Sequence, residues 1–248
     1  MRGLTETERV DYDRDGFVAL EGLLSVAECD RFVDHMLDLH AGRKELDGFE
    51  LRQPGGANEW GRTHNQHVYD EMALQYLLLP QLDQPLHDCL GDHAEGIQTM
   101  YFWQGSEQRR HQDQFYLPEC MSAWLAFVDV SVASGTIWVQ PGSHKQRLLT
   151  KTDFLDGAEF HEWDYNDAVD EQFRRNAASG EVAEEIPVEV TKGSVVFFDG
   201  VLVHRGGEIL RPGVRHVLAN HYIPHGFDDW PHSSWTRYGF DGISRRHP

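Results

Sequence analysis

Residues 193–223 read GSVVFFDGVLVHRGGEILRPGVRHVLANHYI. Three short apolar runs lie in this stretch: SVVFF at 194–198, VLVH at 201–204 and HVLANHYI at 216–223. Each is rich in β-branched and aromatic residues, and turn formers separate them, Asp199-Gly200 and Pro212-Gly213. That is the pattern of buried strands joined by tight turns. Arg215 follows His204 by eleven residues. This is hairpin spacing, so Arg215 is expected on the strand next to His204. A guanidinium that points into a β-rich core is costly unless an anion meets it.

Upstream, further strand-like runs begin at Ile97: IQTMYFW (97–103), MSAWLAFVDV (121–130), GTIWVQ (135–140) and EIPVEVT (185–191). The chain before them is of another kind. DGFVALEGLL (15–24) reads as a strand and turn, and Ser25 then opens a helix with Glu28 as its capping-box partner. Cys29, Phe32, Val33, Met36 and Leu37 recur at helical spacing, and Gly42 can end the helix. A second helical region covers 70–90, broken near Pro80 and Pro85. Residues 43–66 are rich in Gly, Asn and charge, and their RQPGGANEWGR stretch (52–62) is a candidate lid. Residues 151–180 form an acidic, aromatic insertion expected to be part helix. Helices followed by runs of strands give an α+β, mainly β fold class. The expected organisation is one domain over 1–248, with N-terminal helical support about 1–95, a β core about 96–225, and possible lid loops at 43–66 and 151–180.

Composition narrows the functions. The 248-residue chain carries a formal charge of −19 and offers no basic stripe, which excludes a nucleic-acid partner. Cys29, Cys89 and Cys120 are its three cysteines, an odd count without a CxxC pair, so neither a disulfide framework nor a structural zinc site is expected. The polar opening MRGLTETERVDYDRDG is not a signal peptide, and no apolar run approaches a membrane span. A cytoplasmic setting with no membrane partner is expected.

HQDQFY at 111–116 supplies His111 and Asp113. With 15 histidines and 22 aspartates in the chain, about one His-x-Asp triplet arises by chance, so the triplet alone decides nothing. Its company decides more. Two residues apart on a strand, His111 and Asp113 point the same way. With His204 they make two imidazoles and a carboxylate, a set that holds one face of iron(II) and leaves positions open. Arg215 can then anchor the far carboxylate of an acid bound to the metal. Together they read as an oxygenase site.

In this order the motifs make the chain similar to the phytanoyl-CoA dioxygenase family of iron(II)/2-oxoglutarate oxygenases. The resemblance runs through DGFVALEGLLSVAECDRFVDHM (15–36), HQDQFY, MSAWLAFVDVSVASGTIWVQPGSH (121–144), KGSVVFFDGVLVHRGGE (192–208) and Arg215. It implies a double-stranded β-helix, a jelly-roll or cupin-like barrel, with the metal inside. It also implies Fe(II), 2-oxoglutarate as cosubstrate and O2, with His111, Asp113 and His204 as metal ligands and Arg215 on the cosubstrate. Trp124 stands where the family places an aromatic near that cosubstrate. Thr136 and Gln98, polar in apolar strand runs, are further candidates to bind it. Gln114 and Tyr116 flank the triplet and are candidates to face a small-molecule substrate. Trp103, Trp138, Tyr222, Trp230 and Trp235 are candidate aromatic walls, while His144, His216 and His221 read as bystanders. The resemblance ties halogenation to a small residue where this chain has Asp113, so chlorination is not expected.

The leading expectation is hydroxylation or oxidative cyclisation of a small polar metabolite, by analogy a sugar-containing or cationic natural product in antibiotic biosynthesis. Two other readings compete: an amino-acid or compatible-solute hydroxylase of primary metabolism, and a cupin-like barrel that binds metal or ligand without turnover. Arg215 discriminates against the last, which needs no buried anchor.

Overall fold

A computed structural model of the chain describes residues 2–49, 61–104, 108–154, 162–180, 182–211 and 215–246. The helices are α1 (Glu6–Asp15), α2 (Val26–His40), α3 (Glu71–Leu77), α4 (Pro80–Leu90) and α5 (Glu162–Ser179). The strands are β1 (Phe17–Leu20), β2 (Gly61–Arg62), β3 (Ala94–Gln104), β4 (Met121–Ala126), β5 (Ile137–Val139), β6 (Ile186–Pro187), β7 (Val195–Asp199), β8 (His204–Gly206), β9 (Val217–Pro224), β10 (Thr236–Gly239) and β11 (Ser244–Arg246).

The strands form two antiparallel sheets. The larger has the order β1-β7-β4-β9-β3-β10-β11, with β2 also on β3; the smaller is β6-β5-β8. This is a double-stranded β-helix backed by helices. Alternation sorts the side chains of the larger sheet into two cores. From β4, Met121, Ala123 and Leu125 face outward and join Phe32, Met36, Tyr76, Leu82 and Leu86 of the helices. Phe32 stacks on Phe127 with centroids 4.7 Å apart. The opposite face carries Trp124 and Ala126, which meet Val196, Phe198 and Ala219 of the same sheet and Ile137 and Val139 of the smaller one. The cavity lined by His111, Asp113 and His204 opens from this second core.

The capping box of α2 forms as expected: Ser25 and Glu28 bond each other's backbone, and Gly42 follows the last turn at φ +66°. A second box, Thr5 with Glu8, starts α1. This helix buries none of its residues, so no apolar periodicity marked it. It is tied down instead by Asp88, which accepts from the Leu4 amide at 2.7 Å and pairs with Arg9 at 2.8 Å. Pro80 takes the first position of α4, but Pro85 sits inside that helix without ending it. One lost backbone bond is offset by burial of Leu82, Pro85 and Leu86 on one face.

Two strand expectations need correction. β7 and β8 are not a hairpin: β7 lies in the larger sheet between β1 and β4, whereas β8 pairs with β5 in the smaller. For the same reason Arg215, which leads into β9 of the larger sheet, is not across a ladder from His204 in β8. The run from His204 to Arg215 crosses between sheets, which sequence spacing alone cannot distinguish from a hairpin. The candidate lid at 52–62 falls largely on 50–60, and part of the insertion falls on 155–161; both segments lie outside the described residues.

Candidate metal centre

His111 and His204 meet backbone to backbone. Each donates its amide to the other's carbonyl, at 2.9 and 3.1 Å, forming a bridge on the edge of β8 away from β5. After His111 the chain leaves extended conformation, and Asp113 begins a short 3-10 turn through Phe115. Asp113 therefore reaches the histidines from a turn and not from a shared strand face. Gln112, fully buried between the two ligands, fixes that turn. Its amide nitrogen donates to the carbonyls of Val201 (2.9 Å) and Arg147 (3.2 Å), and its carbonyl accepts from the Leu149 amide (3.0 Å). Tyr165 of α5 stacks on Phe115 at 3.7 Å and accepts from the Gln112 amide at 2.8 Å.

One ligand atom from each of His111, Asp113 and His204 lies within 4.8 Å of the others, and all three residues are buried. Asp113 Oδ1 is 3.4 Å from His111 Nε2 and 3.6 Å from His204 Nε2. His111 Nδ1 faces the Arg109 carbonyl and His204 Nδ1 the Leu202 carbonyl, each at 2.9 Å. A carbonyl can only accept, so both rings carry their hydrogen on Nδ1 and turn the Nε2 lone pair inward. Burial, then the neighbouring His111, lowers the His204 pKa to about 4, which leaves it neutral at pH 7. Burial alone would raise the Asp113 carboxyl, but His204, His221 and His111 outweigh it and hold it well below the carboxylate range. Two imidazoles that turn Nε2 inward and an ionised carboxylate, converging on one point, suit a divalent metal such as iron(II).

Arg215 is 1% exposed. Its guanidinium carbon lies 5.2 Å from the Phe102 ring and 5.9 Å from the Trp124 ring. Burial lowers its pKa to about 9, so it stays charged at neutral pH. Arg215, Trp124 and Phe198 line the same cavity as the three candidate ligands, a space of about 420 Å³ including its open mouth.

The other candidate residues are placed less centrally. Gln98 is half-buried on β3, paired in register with His221. Thr136 gives its hydroxyl to the Val188 carbonyl. Gln114 donates to the Cys120 carbonyl at 3.1 Å. Tyr116 packs edge-on against Phe115 and Tyr165. Among the candidate aromatic walls, Trp103 lies against His40, Tyr222 bonds the Leu77 carbonyl among the helices, and Trp230 and Trp235 pack around Ile97 and Leu117. Phe102, Trp124 and Phe198 form the aromatic wall.

Four cavity or supporting residues have no assigned role in the sequence reading, and His221, read there as a bystander, instead lines the cavity. Gln108 stands at the mouth, its amide nitrogen 2.9 Å from His111 Nε2. Ser122 donates to Asp113 Oδ2 at 2.8 Å, and His221 Nε2 is 3.4 Å from the same oxygen. Gln112 is the fourth. Only His221 had a legible signal: alternation from Val217 through Ala219 puts it on the inward face of β9.

A family model described as phytanoyl-CoA dioxygenase matches residues 12–217. Phytanoyl-CoA dioxygenase 1 of Oryza sativa subsp. japonica is 31% identical over 149 residues, which cover 57% of this chain and 49% of the relative. The chain thus spans about half the length of that relative. The solved carbocyclase SnoK from nogalamycin biosynthesis superposes with a TM-score of 0.68 at 18% identity, covering 89% of this chain and 84% of its own. The epimerase SnoN, solved in complex with Fe3+, alpha ketoglutarate and nogalamycin RO, gives 0.69 at 20% identity over 98% of this chain and 94% of its own. At such identities these two are likenesses of fold.

Proposed function

The chain belongs to the phytanoyl-CoA dioxygenase family, and from that membership we propose that it is an iron(II)- and 2-oxoglutarate-dependent oxygenase acting on a small polar metabolite. One observation carries the reading: a His-Asp-His donor set and a buried guanidinium share a cavity walled by Trp124, Phe102 and Phe198. His111 and His204 would give Nε2 lone pairs to the metal, and Asp113 its Oδ1. Arg215 would hold the far carboxylate of 2-oxoglutarate in a charge-assisted pair, in surroundings dry enough to make that pair strong. Bound iron with 2-oxoglutarate supplies the activation of dioxygen. The protein's own part is orientation and the exclusion of water by its aromatic wall.

The substrate class we propose is a sugar-containing or cationic natural product, hydroxylated or oxidatively cyclised. The relatives are named for a CoA thioester, yet CoA phosphates need a cradle of available cations. Three arginines beside the cavity mouth are committed otherwise. Arg109 pairs with Asp167 and Asp170, Arg110 with Asp170 and Glu185, and Arg205 with Glu185. The formal charge of −19 opposes a polyanion further.

The test is an anaerobic mixture of protein, iron(II) and 2-oxoglutarate, followed by air. A weak visible charge-transfer band, then succinate, is expected. Absence of both favours a barrel that binds a ligand without turnover.

A further inference from the structure

The carboxylate of Asp113 is held from both ends, and the two ends differ. Oδ1 faces the Nε2 atoms of His111 and His204. Oδ2 faces away from them, receiving the Ser122 hydroxyl at 2.8 Å with His221 Nε2 at 3.4 Å. Ser122 on β4 and His221 on β9 are Cα partners in the ladder, so one register step of the larger sheet presents both to the same oxygen. Both side chains are buried.

His221 is unlike the other two imidazoles. A carboxylate can only accept, so the hydrogen of His221 belongs on Nε2, toward Asp113. His221 Nδ1 has no hydrogen-bond partner among the described residues. His111 and His204 carry their hydrogen on Nδ1, against backbone carbonyls, and expose Nε2. Three histidines around one carboxylate thus divide into two lone-pair donors and one N–H donor.

We propose that Ser122 and His221 are positioning residues that occupy Asp113 Oδ2, so that the carboxylate binds metal through Oδ1 alone. A carboxylate free to rotate could chelate with both oxygens and take a coordination position that the cosubstrate needs. The inference rests on the metal centre proposed above, and supplies what the ligand triad lacks: a reason for Asp113 to bind through one oxygen.

The experiment is a titration with cobalt(II), used as an oxygen-stable probe, of the full chain and three variants, followed by calorimetry and the cobalt visible spectrum. Ser122→Ala and His221→Leu should each weaken cobalt binding by about 10–100-fold, the usual effect of removing a partner of a metal ligand. Their saturated spectra should also shift in intensity, because the coordination number changes. His221→Gln, whose amide can still donate to Oδ2, should recover most of the affinity and the parent spectrum. Ser122→Ala removes a single oxygen, so it keeps the test open should His221→Leu not fold. Parent-like affinity and spectrum in Ser122→Ala overturn the proposal, as does a His221→Gln variant no better than His221→Leu. A parent protein that takes up no cobalt overturns the metal centre itself, and is distinguishable because the comparison then never begins.

Discussion

Asp113 is the residue on which the site turns, since both imidazoles and both positioning groups meet its two oxygens. His204 sets the acid limit. Its folded pKa is lowered to about 4 from the ordinary 6.5, so below pH 6.5 the unfolded chain gains a proton that the folded chain refuses. Stability of the metal-free protein should therefore fall as pH drops from 6.5 to 4, by about 3 kcal/mol from this group. Asp113, also held low, pulls the same way at lower pH. Urea midpoints across this range check it; a flat profile would mean that His204 is not buried neutral. Arg215→Ala removes one side of a buried ion pair, which costs about 3–5 kcal/mol. It should raise the 2-oxoglutarate concentration needed for half-saturation by at least about a hundredfold, read by spectroscopic titration. With Asp113 in place, excess chloride should yield no chlorinated product by mass spectrometry. At this scale the sequence was most legible where chemistry restricts the residue type: two imidazoles, a carboxylate and a guanidinium. Ser122 and Gln112 were not legible, because serine and glutamine are common and their roles exist only once β4 and the 112 turn are folded.

At the scale of elements, the turn at 111–117 matters more than any strand, because it brings Asp113 to the histidines. Gln112 ties it to Val201, Arg147 and Leu149. Gln112→Leu would leave those buried groups unsatisfied, at about 1–3 kcal/mol for each. A lower urea midpoint together with weaker cobalt binding is expected; a stability loss with unchanged metal affinity would show that the turn holds its shape without Gln112. The strand runs of β3, β4, β7 and β9 were legible from composition, and α2 from its capping box and spacing. α1 was missed because it buries no residue. The pairing of β8 with β5 rather than with its sequence neighbours was missed because partner choice depends on the closure of the barrel.

For the whole molecule, the two sheets bury one apolar layer between them and a second beneath the helices, and the cavity opens from the first. Among the described residues no helix is long and apolar enough to cross a membrane. The fold class followed from the order of helices and strands, whereas the double-stranded β-helix followed from resemblance, since strand runs alone fit several barrels and sandwiches. With a charge of −19 and its mouth arginines paired, the protein should gain no succinate production from phytanoyl-CoA over the substrate-free rate. Stimulation by that thioester would contradict the substrate reading while leaving the metal centre intact. The centre itself is tested most directly by a crystal structure of the anaerobic protein with manganese(II) and 2-oxoglutarate. The account predicts one metal ion bound by His111 Nε2, Asp113 Oδ1 and His204 Nε2, with the far carboxylate of 2-oxoglutarate on Arg215. A metal ion held by other residues, or 2-oxoglutarate bound away from Arg215, would contradict it.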